Sequence, residues 1–174
     1  AVPLDHGSLE LRFHWPALVP AAAFVRGEQL WLAFGGTADA IVVDAAAFRR
    51  AAGRFGGALR QEPNDDATIL RISLRDQPAI TIARDGPVWQ VILSRQARSA
   101  ATAASAALRP LNDGTLLIAG IERVLSVVDP VVGDRLGIGL ASQPGVAAAA
   151  RQRYVGARFL PALQGAAWEN LTDS

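Results

Sequence analysis

Apolar residues recur along the chain in short runs rich in Val, Ile, Leu, Phe and Trp, bounded by clusters of Gly, Pro, Asp and Asn. Runs of this length with such boundaries read as strands joined by turns. The pattern predicts strands over 8–15, 21–26, 29–34, 40–43, 68–74, 79–84, 88–94, 115–120, 124–128, 135–140 and 154–160. Two segments read as helices. In 44–55, Asp44 can cap an Ala-rich turn ahead of Gly56-Gly57, and 99–108 would be stopped by Pro110. The class that follows is mainly β: repeated hairpins in a sandwich or propeller-like arrangement with one or two short helices.

An internal repeat organises the first two thirds. Pro20 to Arg26 followed by Leu30 to Phe34 aligns without a gap on Pro78 to Arg84 followed by Val88 to Ile92, and both copies place Pro eleven residues and Arg five residues before Trp. Each copy reads as a hairpin, turning at Arg26-Gly27-Glu28-Gln29 or at Arg84-Asp85-Gly86-Pro87. The expected organisation is one β-rich domain over 1–174, with a repeat over about 9–55 and 68–109 and a C-terminal hairpin region over about 111–174. In that region 124–128 can pair with 135–140 across Asp129-Pro130-Val131-Val132-Gly133-Asp134.

Alternation assigns the faces. Trp31 and Ala33 share one face of their strand and Leu30 and Phe34 the other, as do Trp89 and Val91 against Val88 and Ile92, so both faces are apolar and both must be covered. In 136–140 one face is aliphatic, while Gly137 and Gly139 leave the other bare for a backbone or ligand to approach. As an edge, that strand would invite pairing with an envelope protein or a second copy, the alternative being that 154–160 caps it within the chain.

Composition narrows the chemistry. With 174 residues, 51% hydrophobic, the chain is long enough to bury a core without a staple, and the lack of Cys removes disulfides and thiol chemistry. The formal charge of +1 argues against nucleic acid as the partner. No run approaches the roughly 18 apolar residues of a membrane span. All 17 basic residues are Arg and Ala is overused, the spelling of a GC-rich bacterial genome, and the lack of Met suggests a mature protein or a piece of a longer one.

Candidate chemistry is sparse. His6 and His14 are the only histidines, no Ser sits in a Gly-x-Ser-x-Gly elbow, and no zinc pattern, phosphate loop or dinucleotide fingerprint is present, so no cofactor or metal is expected. Asp65-Asp66 and the pair Asp129 and Asp134 fall in turns, where such residues bond nearby backbone; the rival use of the latter pair is hydrolysis. Arg26 and Arg84 read as solvated hairpin corners, with an anion or carboxylate contact as the alternative. Trp31 and Trp89 read as equivalent core positions, whereas Trp15 and Trp168 remain free to stack on sugars or a partner.

The runs Phe13-His14-Trp15-Pro16, Ala21 to Gly27 and Leu30 to Phe34, with Asp129 to Leu136 and Phe159 to Gly165, resemble the β-rich region that precedes tetratricopeptide repeats in large envelope proteins of alphaproteobacteria. More loosely, the chain resembles the AMIN modules of periplasmic proteins. The resemblance implies an exported, non-catalytic periplasmic or cell-envelope module, and it carries over no functional residue. The expected function is therefore a binding or scaffolding domain whose partner is an envelope protein or a second copy, with peptidoglycan as the alternative ligand. The candidate binding residues are Trp15, Arg26, Arg84, Gly137, Gly139 and Trp168.

Overall fold

The computed structural model describes residues 2–4, 8–37, 48, 52–53, 55–95, 108–110, 116–148, 153–154 and 156–171. The strands are β1 (Val2–Leu4), β2 (Ser8–His14), β3 (Ala21–Arg26), β4 (Gln29–Phe34), β5 (Gly56–Glu62), β6 (Thr68–Leu74), β7 (Ala79–Asp85) and β8 (Val88–Ser94). They continue with β9 (Leu108–Pro110), β10 (Leu116–Ile118), β11 (Arg123–Val128), β12 (Arg135–Leu140), β13 (Arg153–Tyr154), β14 (Ala157–Leu160), β15 (Ala162–Gln164) and β16 (Ala166–Asn170). The class is mainly β, as expected. The strand expected over 40–43 lies outside the described residues, as does most of both expected helices. Phe48 and Ala52 of the first are helical and buried, and of the second only Leu108 is described, where it opens β9.

Three antiparallel sheets stack as layers. The first has the order β1-β2-β8-β7, the middle β15-β3-β4-β6-β5 and the third β11-β12-β16-β14-β13; β9 and β10 form a separate ribbon. Alternation in β4 explains the stacking. Leu30, Leu32 and Phe34 pack against Leu9, Leu11, Trp89 and Val91 of the first sheet, while Trp31 and Ala33 pack with Leu125, Val127, Leu136 and Ile138 of the third. The middle sheet is thus covered on both faces, which its doubly apolar strands require. Each large side chain fully buried in the two cores contributes roughly 1.5–3 kcal/mol.

The two similar hairpins differ in register. β3 and β4 close on Arg26 opposite Gln29, with Gly27-Glu28 between, whereas β7 and β8 close one residue later on Asp85 opposite Val88, around Gly86-Pro87. Trp31 therefore faces Phe24 across its hairpin, while Trp89 faces Arg84. Both tryptophans are buried, yet in different cores, Trp31 between the middle and third sheets and Trp89 between the first and middle. Their expected equivalence of position is corrected by this: β3 and β4 are inside a stack and β7 lies at an edge, so similar strands meet different neighbours.

The chain passes from the third sheet into the middle one after β14, at Pro161, and returns after β15, at Gly165. β15 belongs to the middle sheet and β16 to the third, and Gly165 between them takes a left-handed backbone with φ 68°. A Cβ at Gly165 would collide with the carbonyl oxygen of Gly139 and stand 3.0 Å from the Ala22 Cβ. Only glycine lets the chain step between layers this closely. Gln164 beside it is fully buried and fully bonded, donating to the carbonyls of Ala141 (3.0 Å) and Gln143 (2.9 Å) and accepting from the Gly145 amide (2.9 Å).

Candidate binding surface

The outer face of the third sheet is built by residues that the pleat turns away from the middle layer. β12 presents Gly137 and Gly139 there, and across the ladder Gly137 lies opposite both Ser126 of β11 and Trp168 of β16. The Trp168 indole lies over Gly137 so closely that a Cβ would stand inside the ring, and Ile121 covers Gly139 at 3.1 Å from where its Cβ would be. The bare glycine face is therefore occupied from within the chain.

This corrects the expectation of an open edge at 136–140. β12 is an interior strand, paired with β11 on one side and β16 on the other, because β16, unread in the Ala-rich sequence of 166–170, inserts beside it.

The same face forms a shallow apolar trough of about 340 Å³. Phe159 and Trp168, with ring centroids 5.5 Å apart, make its floor; Leu117, Ile118 and Ile121 make one wall, with Val124 and Ala157 at the rim. Five of the seven exposed large apolar side chains among the described residues are Leu117, Val124, Val128, Val131 and Val132. All belong to this face, to the tip of the β11–β12 hairpin or to the adjoining ribbon. Exposed apolar side chains gathered on one part of a surface are a common feature of contact sites. Gly137→Ala is expected to push Trp168 off the strand and cost about 1–3 kcal/mol, as overpacking does. Urea denaturation followed by tryptophan fluorescence checks this, since a displaced Trp168 changes the native emission as well as the midpoint.

A charged cluster lies between the middle and third sheets. Arg26, at the end of β3, donates to Asp129 Oδ2 (2.5 Å), to both carboxylate oxygens of Asp134 (2.8 and 2.5 Å) and to Glu169 Oε1 (3.1 Å), and Arg158 donates to Glu169 Oε2. Asp129 also caps its own turn, accepting from the amides of Val131 (2.9 Å) and Val132 (3.4 Å). Burial opposes the Arg26 charge, but the hydrogen bonds to Asp134 and Asp129 outweigh it and hold the guanidinium above its ordinary value. The Arg26 hydrogen bond in turn holds the Asp134 carboxyl below the usual range, against the opposing effect of burial.

The remaining candidates are also tied down. Arg26 is not a solvated corner but the centre of that cluster. Arg84 lies one pair inside its hairpin, donates to the Ser142 carbonyl at 2.5 Å and sits 5.6 Å from the Trp89 ring, so it too is held within the fold. Trp15 is half-buried between Phe34 (5.3 Å) and Gly36, with its indole nitrogen buried and unbonded. Of the six candidates the structure gathers Gly137, Gly139 and Trp168 on one face, and places Trp15, Arg26 and Arg84 elsewhere. Phe159, Ile121 and Leu117 complete the trough without any warning in the sequence except that Val124 and Val128 make β11 apolar on both faces.

Other chemistry is thin. His14 is exposed on β2, His6 lies outside the described residues, and among the described residues no cluster of His, Asp and Glu has the arrangement of a metal site. A second cleft, of about 600 Å³, opens beside the connection after β6, where Asp76 (φ 57°) and Gln77 (φ 42°) take left-handed backbone, but its rim of Glu28, Arg75, Asp76 and Gln77 is polar and largely exposed. No helix among the described residues is long and apolar enough to cross a membrane. Comparison with known proteins finds no matching family model, no matching curated protein and no matching solved structure.

Proposed function

We propose that this chain is a non-catalytic binding or scaffolding module of a larger bacterial cell-envelope protein, and that the outer face of its third sheet is the contact surface. The observation that carries the proposal is the trough over Trp168 and Phe159, whose lining among the described residues, from Leu117 to Trp168, offers aliphatic and aromatic side chains and no carboxylate, amide or hydroxyl. A sugar needs a ring of hydrogen-bonding side chains around the aromatic platform, so this lining suits apolar side chains of a polypeptide better than a glycan. The carboxylates a hydrolase would use, Asp129 and Asp134, are engaged by Arg26 between two sheets, which supports binding over turnover. Placement in the periplasm or envelope rests on the resemblance of the sequence alone.

Panning a random peptide display library against the chain tests this surface. Peptides with spaced aliphatic or aromatic residues are expected to enrich on the parent and to fail on Leu117→Asp, which puts a charge at the half-exposed wall of the trough. Soluble peptidoglycan fragments that quench Trp168, with no peptide enriched, would move the surface to the glycan reading. Equal enrichment on parent and variant would reject it.

A further inference from the structure

The contact face carries its own complement. Val131 and Val132, 73% and 61% exposed, are the two large apolar side chains held at the tip of the β11–β12 hairpin, and the Asp129 carboxylate fixes that turn by accepting from both their amides. The trough lies at the opposite end of the same hairpin, beside Val124 and Ile121. Between the two ends the face shows Val124, Ser126 and Val128 from β11, with Trp168 of β16 lying over Gly137 of β12.

Charge follows the same polarity. Arg135, opposite Val128 near the tip, is exposed on this face and donates to Ser126 Oγ (3.3 Å); Glu122, two residues before Val124, is exposed beside the trough and accepts from the amide and hydroxyl of Ser142. A cation thus stands at the knob end and an anion at the hole end. We infer that two copies of this chain pack outer face to outer face about a twofold axis, each seating its Val131–Val132 tip in the other's trough and bringing Arg135 of each copy to Glu122 of the other. An antiparallel arrangement of two identical hairpins meets both pairings at once, which is the self-complementarity an isologous interface requires.

The face is small. Its five strands, of two to six residues and ~4.8 Å apart, give roughly 350–400 Å² against the ~800 Å² per partner of a standard interface, so the dimer is expected to be weak, micromolar or above. The inference rests on the reading of this face as the contact surface and names the partner it takes.

Sedimentation velocity of the full 174-residue chain, run from about 1 to 500 µM to bracket that affinity, tests it. The parent is expected to pass from monomer to dimer, and Val131→Asp and Leu117→Asp each to raise the dissociation constant about tenfold or more, as a charge forced into an apolar contact does. Glu122→Arg and Arg135→Glu, both at exposed positions, should each weaken the dimer, while an equimolar mixture of the two restores it, since every cross-contact then pairs opposite charges. Denaturation midpoints of the four variants establish that they are folded. A parent that stays monomeric, a dimer indifferent to all four variants, or growth beyond two copies would overturn the twofold contact. Peptide enrichment by a strictly monomeric parent would still leave the contact face standing, so the two failures are distinguishable.

Discussion

Arg26→Ala is expected to destabilise the fold by about 3–5 kcal/mol, the usual cost of removing one partner from a buried ion cluster. The reason is what stays behind. Asp129 is 3% exposed and Asp134 half-buried; without the guanidinium Asp129 keeps only the amides of its own turn and Asp134 only the longer-range charge of Arg158, whereas Glu169 keeps its direct bond to Arg158. The cluster also ties the end of β3 to the β11–β12 turn and to β16, so its loss loosens the middle layer from the third. Urea denaturation at neutral pH measures the cost, and the double change Arg26→Ala with Asp129→Asn should recover part of it by removing the stranded charge. A loss below 1 kcal/mol would mean that water reaches the cluster and solvates it.

The same cluster sets an acid dependence whose sign follows from Asp134. Its folded carboxyl is held below the unfolded value of about 3.9, so its contribution is fully present above that value and is lost as the pH falls through the lowered folded one. The parent should therefore lose stability on acidification more steeply than Arg26→Ala. Parallel slopes in the two proteins would show that Arg26 does not set the ionisation of Asp134.

Trp31→Ala is expected to cost a similar amount, about 3–5 kcal/mol, typical of deleting a buried aromatic. Trp31 is 1% exposed in the middle layer, stacked on Phe24 at 5.9 Å with an interplanar angle of 10°. The Arg71 guanidinium lies 5.2 Å from its ring centroid and is bonded to Glu62 at 2.6 Å, so truncation opens a cavity and removes the aromatic face from a buried cation. Trp31→Phe, which keeps a ring, should lose clearly less. The denaturant midpoint reports both changes, with an unaltered m-value indicating that the unfolding unit is the same; equal losses for the two variants would place the energy in the indole alone.

The hairpins were legible because their signals are local. Turn residues such as Gly27-Glu28 and Asp129 to Asp134, short apolar runs in β4 and β6, and period-two alternation in β12 act over a few positions and survive any tertiary context. β5 and β16 were not legible: Gly56-Gly57 resembles the end of a helix and 166–170 is Ala-rich, and both become strands because a neighbouring strand accepts their backbone hydrogen bonds. The two Trp hairpins show the limit of a repeat. Their matching sequence yields matching hairpins, while a one-residue shift of the closing turn and different neighbours send Trp31 and Trp89 into separate cores.

By itself the sequence determined the β class, the places of the β3–β4 and β7–β8 hairpins, the need to cover both faces of β4, and the lack of thiol chemistry, since these depend on side-chain type and spacing along one strand. Only the tertiary structure decided that the cover consists of two further sheets, that Gly137 and Gly139 floor a surface closed by Trp168 and Ile121, and that Arg26 meets carboxylates more than a hundred residues away. The physical reason is distance along the chain. Burial of a charge or the fit of an indole on a glycine is settled by which remote segments the layers bring within a few ångströms, and no local pattern encodes that choice.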